Sequence, residues 1–217
     1  MNGPDLQIRE RILETARDHF LQYGFSNVTM SDIAANLGMS KKTMYAYFQS
    51  KEELASEMVK ELQSEMSSRI SALADDESVD FLEKLNRILD ATAAHHSRMS
   101  PYFRMDLQKH APGIFQCSDD FQNQQVYAVV SRLIQEGMRK GAFRSDLEEP
   151  IVTAMFVAAF KSILKPESLA RLQRPISEII HGITNVMFRG ILSDGALVMM
   201  QTQPQTSLTV STDHSIA

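Results

Sequence analysis

The apolar side chains of this sequence recur at intervals of three and four residues, the spacing of helices with one buried face. In the first such segment, Ile8, Ile12, Ala16 and Phe20 follow one another in four-residue steps. The same spacing continues along most of the chain, and no segment alternates convincingly between apolar and polar residues as a half-buried strand does. The pattern therefore predicts an all-α protein of about nine helices.

Capping residues, glycines and prolines divide this pattern into separate helices and domains. A long helix is predicted to begin at Ser50, and later helices are predicted over about 81–96, 102–110, 119–140, 148–165 and 175–193. We expect a first domain over 1–49 and a second over 50–200, joined through the long helix. From about Gln201 the chain is polar and nearly uncharged, which predicts a disordered tail over 201–217.

Residues 29–51 contain two short predicted helices joined by a tight turn. Thr29 and Asp32 have the spacing of a capping box, in which each side chain satisfies a free backbone N–H group of the other residue. Gly38 permits the chain to reverse, because glycine reaches a positive φ without a Cβ clash. The second helix therefore begins soon after this glycine.

That second helix has a buried side and a polar side. Ser40 is positioned to cap it, and Met44 and Phe48 lie four residues apart on the side that faces the core. Its other side carries charge and hydrogen-bonding groups on Lys41, Lys42, Thr43, Tyr45, Ala46 and Tyr47. This layout predicts a helix-turn-helix whose second helix enters the major groove of DNA.

The distribution of charge supports this prediction locally. The whole chain has 22 basic and 27 acidic residues, and the net charge is −5. Residues 1–51 hold six basic and five acidic side chains, and from Gly38 to Lys51 there are three lysines and no acid. DNA phosphates would repel the acidic body and attract these lysines. Three lysines in such a segment also fit an ordinary solvated helix face, so charge alone leaves both interpretations open.

Length and composition narrow the class of protein. A chain of 217 residues with 43% hydrophobic and 23% charged residues is typical of a soluble globular protein. Cys117 is its one cysteine, which excludes an internal disulfide. Charges interrupt the apolar positions near the N-terminus, and the apolar stretch 151–160 is too short to cross a bilayer. We therefore expect a cytoplasmic protein with no signal peptide and no membrane segment.

The sequence contains no catalytic or metal-binding pattern. It has no nucleophile–base motif, glycine-rich phosphate loop or zinc-protease signature. His95, His96 and His110 are irregularly spaced and lack paired cysteines or carboxylates, so we predict neither a metal nor a cofactor. Cys117 has no basic neighbour that would make it a redox switch. We expect that the protein is not an enzyme.

The TetR/AcrR transcriptional regulators have an N-terminal domain that resembles one segment of this chain, FLQYGFSNVTMSDIAANLGMSKKTMYAYFQSKEEL. The resemblance rests on the Gly-Phe pair, the Thr and Asp-Ile-Ala that follow, and the Tyr-Phe and Ser-Lys-Glu near the end. It covers about 45 residues, and the rest of the chain agrees with the family only in helical layout. It implies a homodimeric DNA-binding protein, usually a repressor, that a small ligand releases from its operator.

The resemblance implies DNA contacts for eight residues: Thr29, Ser31, Lys41, Lys42, Thr43, Tyr45, Tyr47 and Lys51. The residues that open the second short helix would face base edges, whereas Thr29, Tyr45, Tyr47 and Lys51 would hold phosphates. Ser31 would reach a base or a phosphate. Many family members have glycine at the position of Lys42, whose cation could read guanine or bind a phosphate, so the operator sequence stays open.

Two helices near the C-terminus are candidates for a dimer interface. The predicted helix over 151–165 is apolar nearly all round, and that over 175–193 has a broad apolar face with Gly182 and Gly190. Two helices from each subunit would form a four-helix interface. The alternative is that both helices are buried within one subunit.

A ligand pocket is less visible in the sequence. Its candidate lining residues lie in helices that should surround a central cavity: His95, Met99, Phe103, His110, Phe121, Tyr127 and Phe156. The thirteen methionines of the chain favour an adaptable interior and so a largely apolar effector. The alternative for each of these residues is an ordinary place in the hydrophobic core.

Two other functions remain as alternatives. The chain could be a helical small-molecule sensor or partner-binding protein with little DNA-binding activity. It could also be an α-helical enzyme, which no residue pattern supports. Salt-sensitive binding to a DNA duplex would distinguish the regulator from the sensor.

Overall fold

The structure is a computed structural model that describes residues 3–98 and 101–202. Eleven helices are found in these residues. In chain order they are α1 (Gly3–Tyr23), α2 (Met30–Asn36), α3 (Lys41–Tyr47), α4 (Lys51–Asp75), α5 (Phe81–Arg98), α6 (Pro101–His110), α7 (Pro112–Arg139), α8 (Glu149–Ile163), α9 (Pro166–Leu172), α10 (Ile176–Ile191) and α11 (Asp194–Thr202). The all-α prediction is confirmed, because the described residues contain helices and no strand longer than a single Phe143–Leu192 bridge.

The expected number of helices was too low, because the sequence pattern did not indicate α9 and α11. Each has fewer than ten residues, too few for a clear helical periodicity. Helix α11 also ends at Thr202, which corrects the start of the predicted disordered tail. The rest of that tail, residues 203–217, lies outside the described residues.

Helix α7 begins seven residues earlier than the pattern predicted. It starts at Pro112, so only Ala111 separates it from α6. The Ala-Pro-Gly sequence was expected to form a loop. The backbone N–H at the first position of a helix has no partner within the helix, so a proline there, which lacks this group, loses no hydrogen bond.

Among the described helices, none combines the length and the apolar character that a membrane span needs.

The chain forms two compact units. Unit 1 comprises the described parts of Met1–Ser67 and Arg98–Gln122, and unit 2 comprises those of Ser68–Ser97 and Asn123–Ala217. The chain therefore passes between the units three times, within α4, at the end of α5 and within α7. The predicted domain boundary between residues 49 and 50 stays a prediction.

Unit 1 has one hydrophobic core, to which α1, α2, α3, the first half of α4 and α6 contribute. Phe20, Met44 and Phe48 have no exposed surface in this core. Helix α6 inserts Phe103 and Leu107, which are buried among them. A helix about 50 residues beyond the helix-turn-helix is therefore an integral part of its core.

Unit 2 packs around a cluster of phenylalanine rings. The Phe143 ring lies 5.2 Å from that of Phe81 and 5.6 Å from that of Phe188, centroid to centroid. Phe188 of α10 also contacts Phe156 of α8, with ring centroids 5.1 Å apart. This contact packs α8 against α10, and other side chains of the two helices remain exposed.

Candidate nucleic-acid interface

Helix α2 begins with the predicted capping box. The backbone N–H of Asp32 donates to Oγ1 of Thr29 at 3.2 Å, and the backbone N–H of Thr29 donates to Oδ2 of Asp32 at 2.9 Å. The Thr29 hydroxyl also donates to the same carboxylate. These hydrogen bonds, together with the charges of His19 and Lys41, lower the pKa of Asp32 below its usual value. The cap fixes the first helix of the turn motif at neutral pH.

Gly38 and Ser40 fix the start of α3. Gly38 has a φ of +66°, the left-handed conformation that glycine adopts without strain. Ser40 Oγ then accepts a hydrogen bond from the Thr43 N–H at 3.0 Å and pairs with the Thr43 hydroxyl at 2.9 Å. Both features agree with the sequence prediction, since they depend only on neighbouring residues.

Two buried side chains determine which face of α3 is exposed. Met44 and Phe48 have no exposed surface and anchor the helix in the core of unit 1. Lys41, Lys42 and Thr43 are exposed on the outside of α3. Further along α3, Tyr45 is about half exposed, Ala46 is exposed and Tyr47 is partly buried. At the start of α2, Thr29 is exposed and Ser31 is partly buried. The side of α3 predicted to meet DNA is therefore open.

Two arginines of α1 are paired with acids of α4. Arg17 forms a two-armed salt bridge with Glu65, with N–O distances of 2.8 and 3.0 Å, and Arg9 pairs with Glu57. Within the described part of the chain, no ion pair involves Lys41 or Lys42. The two lysines of α3 are therefore available to attract an anionic partner.

Lys51 is engaged with the protein itself. Its ammonium group donates to the backbone carbonyl of Phe25 at 3.0 Å and lies 4.3 Å from the centroid of the Phe25 ring. It joins the start of α4 to the turn between α1 and α2. No local pattern in the sequence indicated this contact, because 26 residues separate the partners. A phosphate contact for Lys51 stays a prediction.

Helix α6 also supports the turn between α1 and α2, through Asp106 and Tyr102. Asp106 accepts hydrogen bonds from the backbone N–H and the hydroxyl of Ser26, each at 2.7 Å. Tyr102 receives a hydrogen bond on its hydroxyl from Asn27 at 3.2 Å. Gly24 has a φ of +86°, and a Cβ there would lie 2.8 Å from Tyr102 and 2.9 Å from Asp106. No local sequence pattern indicated this contact surface, which holds the α1–α2 turn directly before α2.

These features occur together in a known family. Residues 12–58 match the family described as "Bacterial regulatory proteins, tetR family". This match covers α2 and α3 completely, together with the parts of α1 and α4 that pack on them. Over residues 12–58 the chain therefore has the helix-turn-helix region of the tetR family, and its relatives include HTH-type transcriptional regulators.

Relatives and solved structures extend the similarity along the chain. An uncharacterized HTH-type transcriptional regulator of Bacillus subtilis, YvaF, is 28% identical over 85% of this chain and 96% of its own length. The transcriptional repressor KstR2 of Mycolicibacterium smegmatis is 27% identical over 66% of this chain and 71% of its own length. The structure of FadR from Bacillus subtilis in complex with stearoyl-CoA has a TM-score of 0.63 at 15% identity, covering 84% of this chain and 98% of that one. The last likeness shows a shared fold.

The candidate dimer helices α8 and α10 leave apolar side chains on the surface. Ile151 and Met155 of α8 are 55% and 58% exposed, and Val186 of α10 is 76% exposed. Gly182 and Gly190 flank Val186 at four-residue spacing, and a Cβ at either glycine would meet no atom within 4 Å. Packing within unit 2 therefore does not require these glycines.

The residues predicted to line a ligand pocket fall into both units. In unit 1, Phe103 is fully buried in the hydrophobic core, while His110 and Phe121 are exposed. In unit 2, Phe156 is buried, Tyr127 is about half exposed, and His95 stacks edge-on against His96. The side chain of Met99 lies outside the described residues. The pocket stays a prediction, and Phe103 has a clear structural role in the core.

No three His, Cys, Asp or Glu side chains of the described ranges lie together in a way that could hold a metal ion. Cys117 is a free, exposed thiol. The exposed surface of α3, with Lys41, Lys42 and Thr43, carries charge and a hydroxyl group, which suits the binding of a polyanion.

Proposed function

We propose that this protein is a homodimeric transcriptional repressor that binds a palindromic operator through α3 and leaves it when a small molecule binds. The main support is the orientation of α3. Its buried Met44 and Phe48 turn Lys41, Lys42 and Thr43 outward, and no ion pair within the described residues neutralises the two lysines. We assign a head over 1–49 to DNA binding and a body over 50–200 to effector binding and dimerisation.

In this proposal the eight candidate residues divide into two groups. Lys41, Lys42 and Thr43 read base edges in the major groove, and Lys42 could instead bind a phosphate. Thr29, Ser31, Tyr45, Tyr47 and Lys51 position the head on the phosphate backbone. Lys51 uses one of the three N–H donors of its ammonium group on the Phe25 carbonyl, and the other donors could bind a phosphate.

The proposed dimer forms through α8 and α10. Exposed Ile151, Met155 and Val186 provide apolar area, and Gly182 and Gly190 allow a second helix to approach the backbone closely. A two-fold interface would set the two copies of α3 about 34–36 Å apart, one turn of B-DNA, to match the halves of a palindrome. Because its target is DNA, we place the protein in the cytoplasm.

The proposed effector is a small and largely apolar molecule that binds in the body. The similarity to FadR, a protein whose structure holds stearoyl-CoA, is consistent with an acyl or similarly apolar compound. Effector binding would shift the population toward dimers whose heads no longer match one DNA turn. A coupling free energy of about 1–3 kcal/mol would lower operator affinity about 5–150-fold.

Selection of tight-binding duplexes from a random pool, followed by titration at 50 to 200 mM salt, tests the DNA-binding part of this proposal. We expect selected palindromes whose affinity falls steeply with salt. Lys41→Ala and Lys42→Ala should each weaken binding, while Lys60→Ala, at an exposed position of α4 outside the turn motif, should have little effect. Binding that is absent or insensitive to salt would favour the helical sensor.

Light scattering coupled to size exclusion tests the dimer separately. Val186→Arg places a charge on the exposed apolar face of α10 and should convert the dimer to a monomer. Ala170→Arg makes the same chemical change at an exposed position of α9 and should leave the dimer intact. A wild-type monomer, or a dimer that survives Val186→Arg, would contradict the proposed interface.

A further inference from the structure

The last residue of α3 is hydrogen-bonded to the first turn of α1. The Tyr47 hydroxyl donates to Oδ1 of Asp5 at 3.2 Å, across 42 residues of sequence. Burial raises the pKa of the Tyr47 phenol above its usual value, and the hydrogen bond to Asp5 and its negative charge raise it further. The phenol therefore keeps its proton and remains a donor at neutral pH.

The partner of this hydroxyl has the chemistry of DNA itself. A carboxylate oxygen and a phosphate oxygen are both anionic acceptors, and each forms a charge-assisted hydrogen bond with a phenolic O–H. Tyr47 has only one proton to donate, so it cannot serve Asp5 and a phosphate at the same time. Asp5 also carries a negative charge beside the surface that the DNA backbone would approach.

We propose that Asp5 is an intramolecular competitor for Tyr47, which a DNA phosphate must displace, so that Asp5 lowers the affinity of the protein for DNA. This inference rests on the proposed function, in which Tyr47 contacts a phosphate. Asp5 and the phosphate alternate as acceptors for one hydroxyl. Asp5 thus lowers the affinity of the head for DNA without contacting a base.

Other packing holds α3 in place, so the Asp5 contact is free to break. Met44 and Phe48 anchor the helix in the core, and Arg9 adds a cation 5.0 Å from the centroid of the Phe48 ring. Asp5 is an exposed residue. Exposed charged contacts contribute little to stability, so a phosphate can replace this one at small cost.

The test compares Asp5→Ala with a matched loss of charge. Glu10→Ala removes an exposed acid from the same helix, and the described contacts include none between Glu10 and Tyr47. The probe is a 30-base-pair duplex of mixed sequence, followed by fluorescence anisotropy at 50 and 200 mM salt. Relative to Glu10→Ala, we expect Asp5→Ala to bind about two- to fivefold more tightly, the range of an exposed charged contact.

Measurements in the Tyr47→Phe background test whether the gain in DNA affinity depends on the Tyr47 hydroxyl. In Tyr47→Phe the donor is gone, so the additional affinity gained by Asp5→Ala over Glu10→Ala should disappear. Asp5→Ala also removes an acid from the first turn of α1, where it stabilises the helix. Asp5→Asn therefore serves as a second variant, because it removes the charge and keeps a weaker acceptor, and we expect an intermediate affinity.

A readout without DNA tests the contact itself. In protein labelled with 13C at the tyrosine ring carbon that bears the hydroxyl, NMR titration should show a lower pKa for Tyr47 in Asp5→Ala than in the wild type. An unchanged Tyr47 pKa would overturn the inference. Equal affinities of Asp5→Ala and Glu10→Ala would also overturn it, as would an advantage that persists in Tyr47→Phe.

The outcomes separate this inference from the proposed function. If the wild type and Glu10→Ala bind the duplex with strong salt dependence while Asp5→Ala behaves like Glu10→Ala, only the inference fails. If the wild type binds no duplex at either salt concentration, both fail.

Discussion

The carboxylate of Asp106 lies directly against Ser26 and accepts hydrogen bonds from both its backbone N–H and its hydroxyl, each at 2.7 Å. Asp106 is buried on α6, and Ser26 belongs to the turn between α1 and α2. Because α2 begins four residues after Ser26, this contact fixes the point from which the helix-turn-helix extends.

Replacement of Asp106 should destabilise unit 1. Asp106→Ala leaves the Ser26 N–H without its acceptor, so we expect the free energy of unfolding to fall by about 2–3 kcal/mol. Gln108→Ala removes an exposed side chain from the same helix and should change it by less than about 0.5 kcal/mol. Urea denaturation followed by circular dichroism measures both variants, and equal midpoints would contradict the assigned role of Asp106.

The contribution of Asp106 should depend on pH in the acid range. Burial raises the pKa of its carboxyl, but the hydrogen bonds from Ser26, together with the charge of His110 and the Phe25 backbone, bring the pKa below its usual value. A group whose pKa is lowered by folding stabilises the protein above the unfolded pKa of about 4 and loses that effect as the pH falls through the folded value.

Comparison with Asp106→Asn isolates this pH dependence. The difference in unfolding free energy between the wild type and Asp106→Asn should be present at pH 7 and should shrink as the pH falls below about 4. Asp18→Asn, at an exposed position of α1, provides the reference for the loss of an ordinary carboxylate. A difference that grows on acidification would have the wrong sign for this explanation.

A buried ion pair in unit 2 should be sensitive to the loss of one partner. Lys84 is 2% exposed, and its ammonium group donates to Glu136 at 2.9 Å and to the Ala74 carbonyl at 3.0 Å. Burial raises the pKa of Glu136, but hydrogen bonds from Lys140 and Lys84 bring it below its usual value. The Glu136 carboxylate is therefore held in its charged form around neutral pH.

Glu136→Ala should lower the free energy of unfolding by about 3–5 kcal/mol, because it leaves the Lys84 charge buried without a carboxylate. The double variant Lys84→Met with Glu136→Leu removes both charges and should recover much of this loss. Chemical denaturation of the single and double variants measures these changes in the free energy of unfolding. A double variant less stable than Glu136→Ala would show that the pair itself provides net stabilisation.

Two glycines within helices should respond oppositely to alanine. A Cβ on Gly137 would overlap the ring of Phe143, so Gly137→Ala should destabilise unit 2 by about 1–3 kcal/mol. A Cβ on Gly182 would meet nothing within 4 Å, so Gly182→Ala should stabilise α10 by about 0.5–1 kcal/mol through helix propensity.

The glycine variants should be measured in the Val186→Arg background, so that the proposed dimer contact does not enter the comparison. Thermal unfolding at one protein concentration gives both signs in one experiment. Equal shifts for Gly137→Ala and Gly182→Ala would mean that Phe143 moves aside at no cost.

The sequence by itself determined the features that depend on neighbouring residues. The capping box of Thr29 and Asp32, the turn at Gly38 and the buried pair Met44 and Phe48 all involve residues within four positions of one another. Helical periodicity and local hydrogen bonding are enough to specify such features, and they identified the helix-turn-helix and the all-α fold. The short helices α9 and α11 were not predicted, because they contain too few residues for a periodic signal.

Only the tertiary structure decided which distant groups meet. Asp106 and Ser26 are 80 residues apart, and neither residue carries a local sign of its partner. The same is true of Tyr47 with Asp5 and of Lys84 with Glu136. A hydrogen bond or ion pair forms over about 3 Å, so its existence depends on how whole helices pack, and that packing is set by the sum of many apolar contacts across the chain.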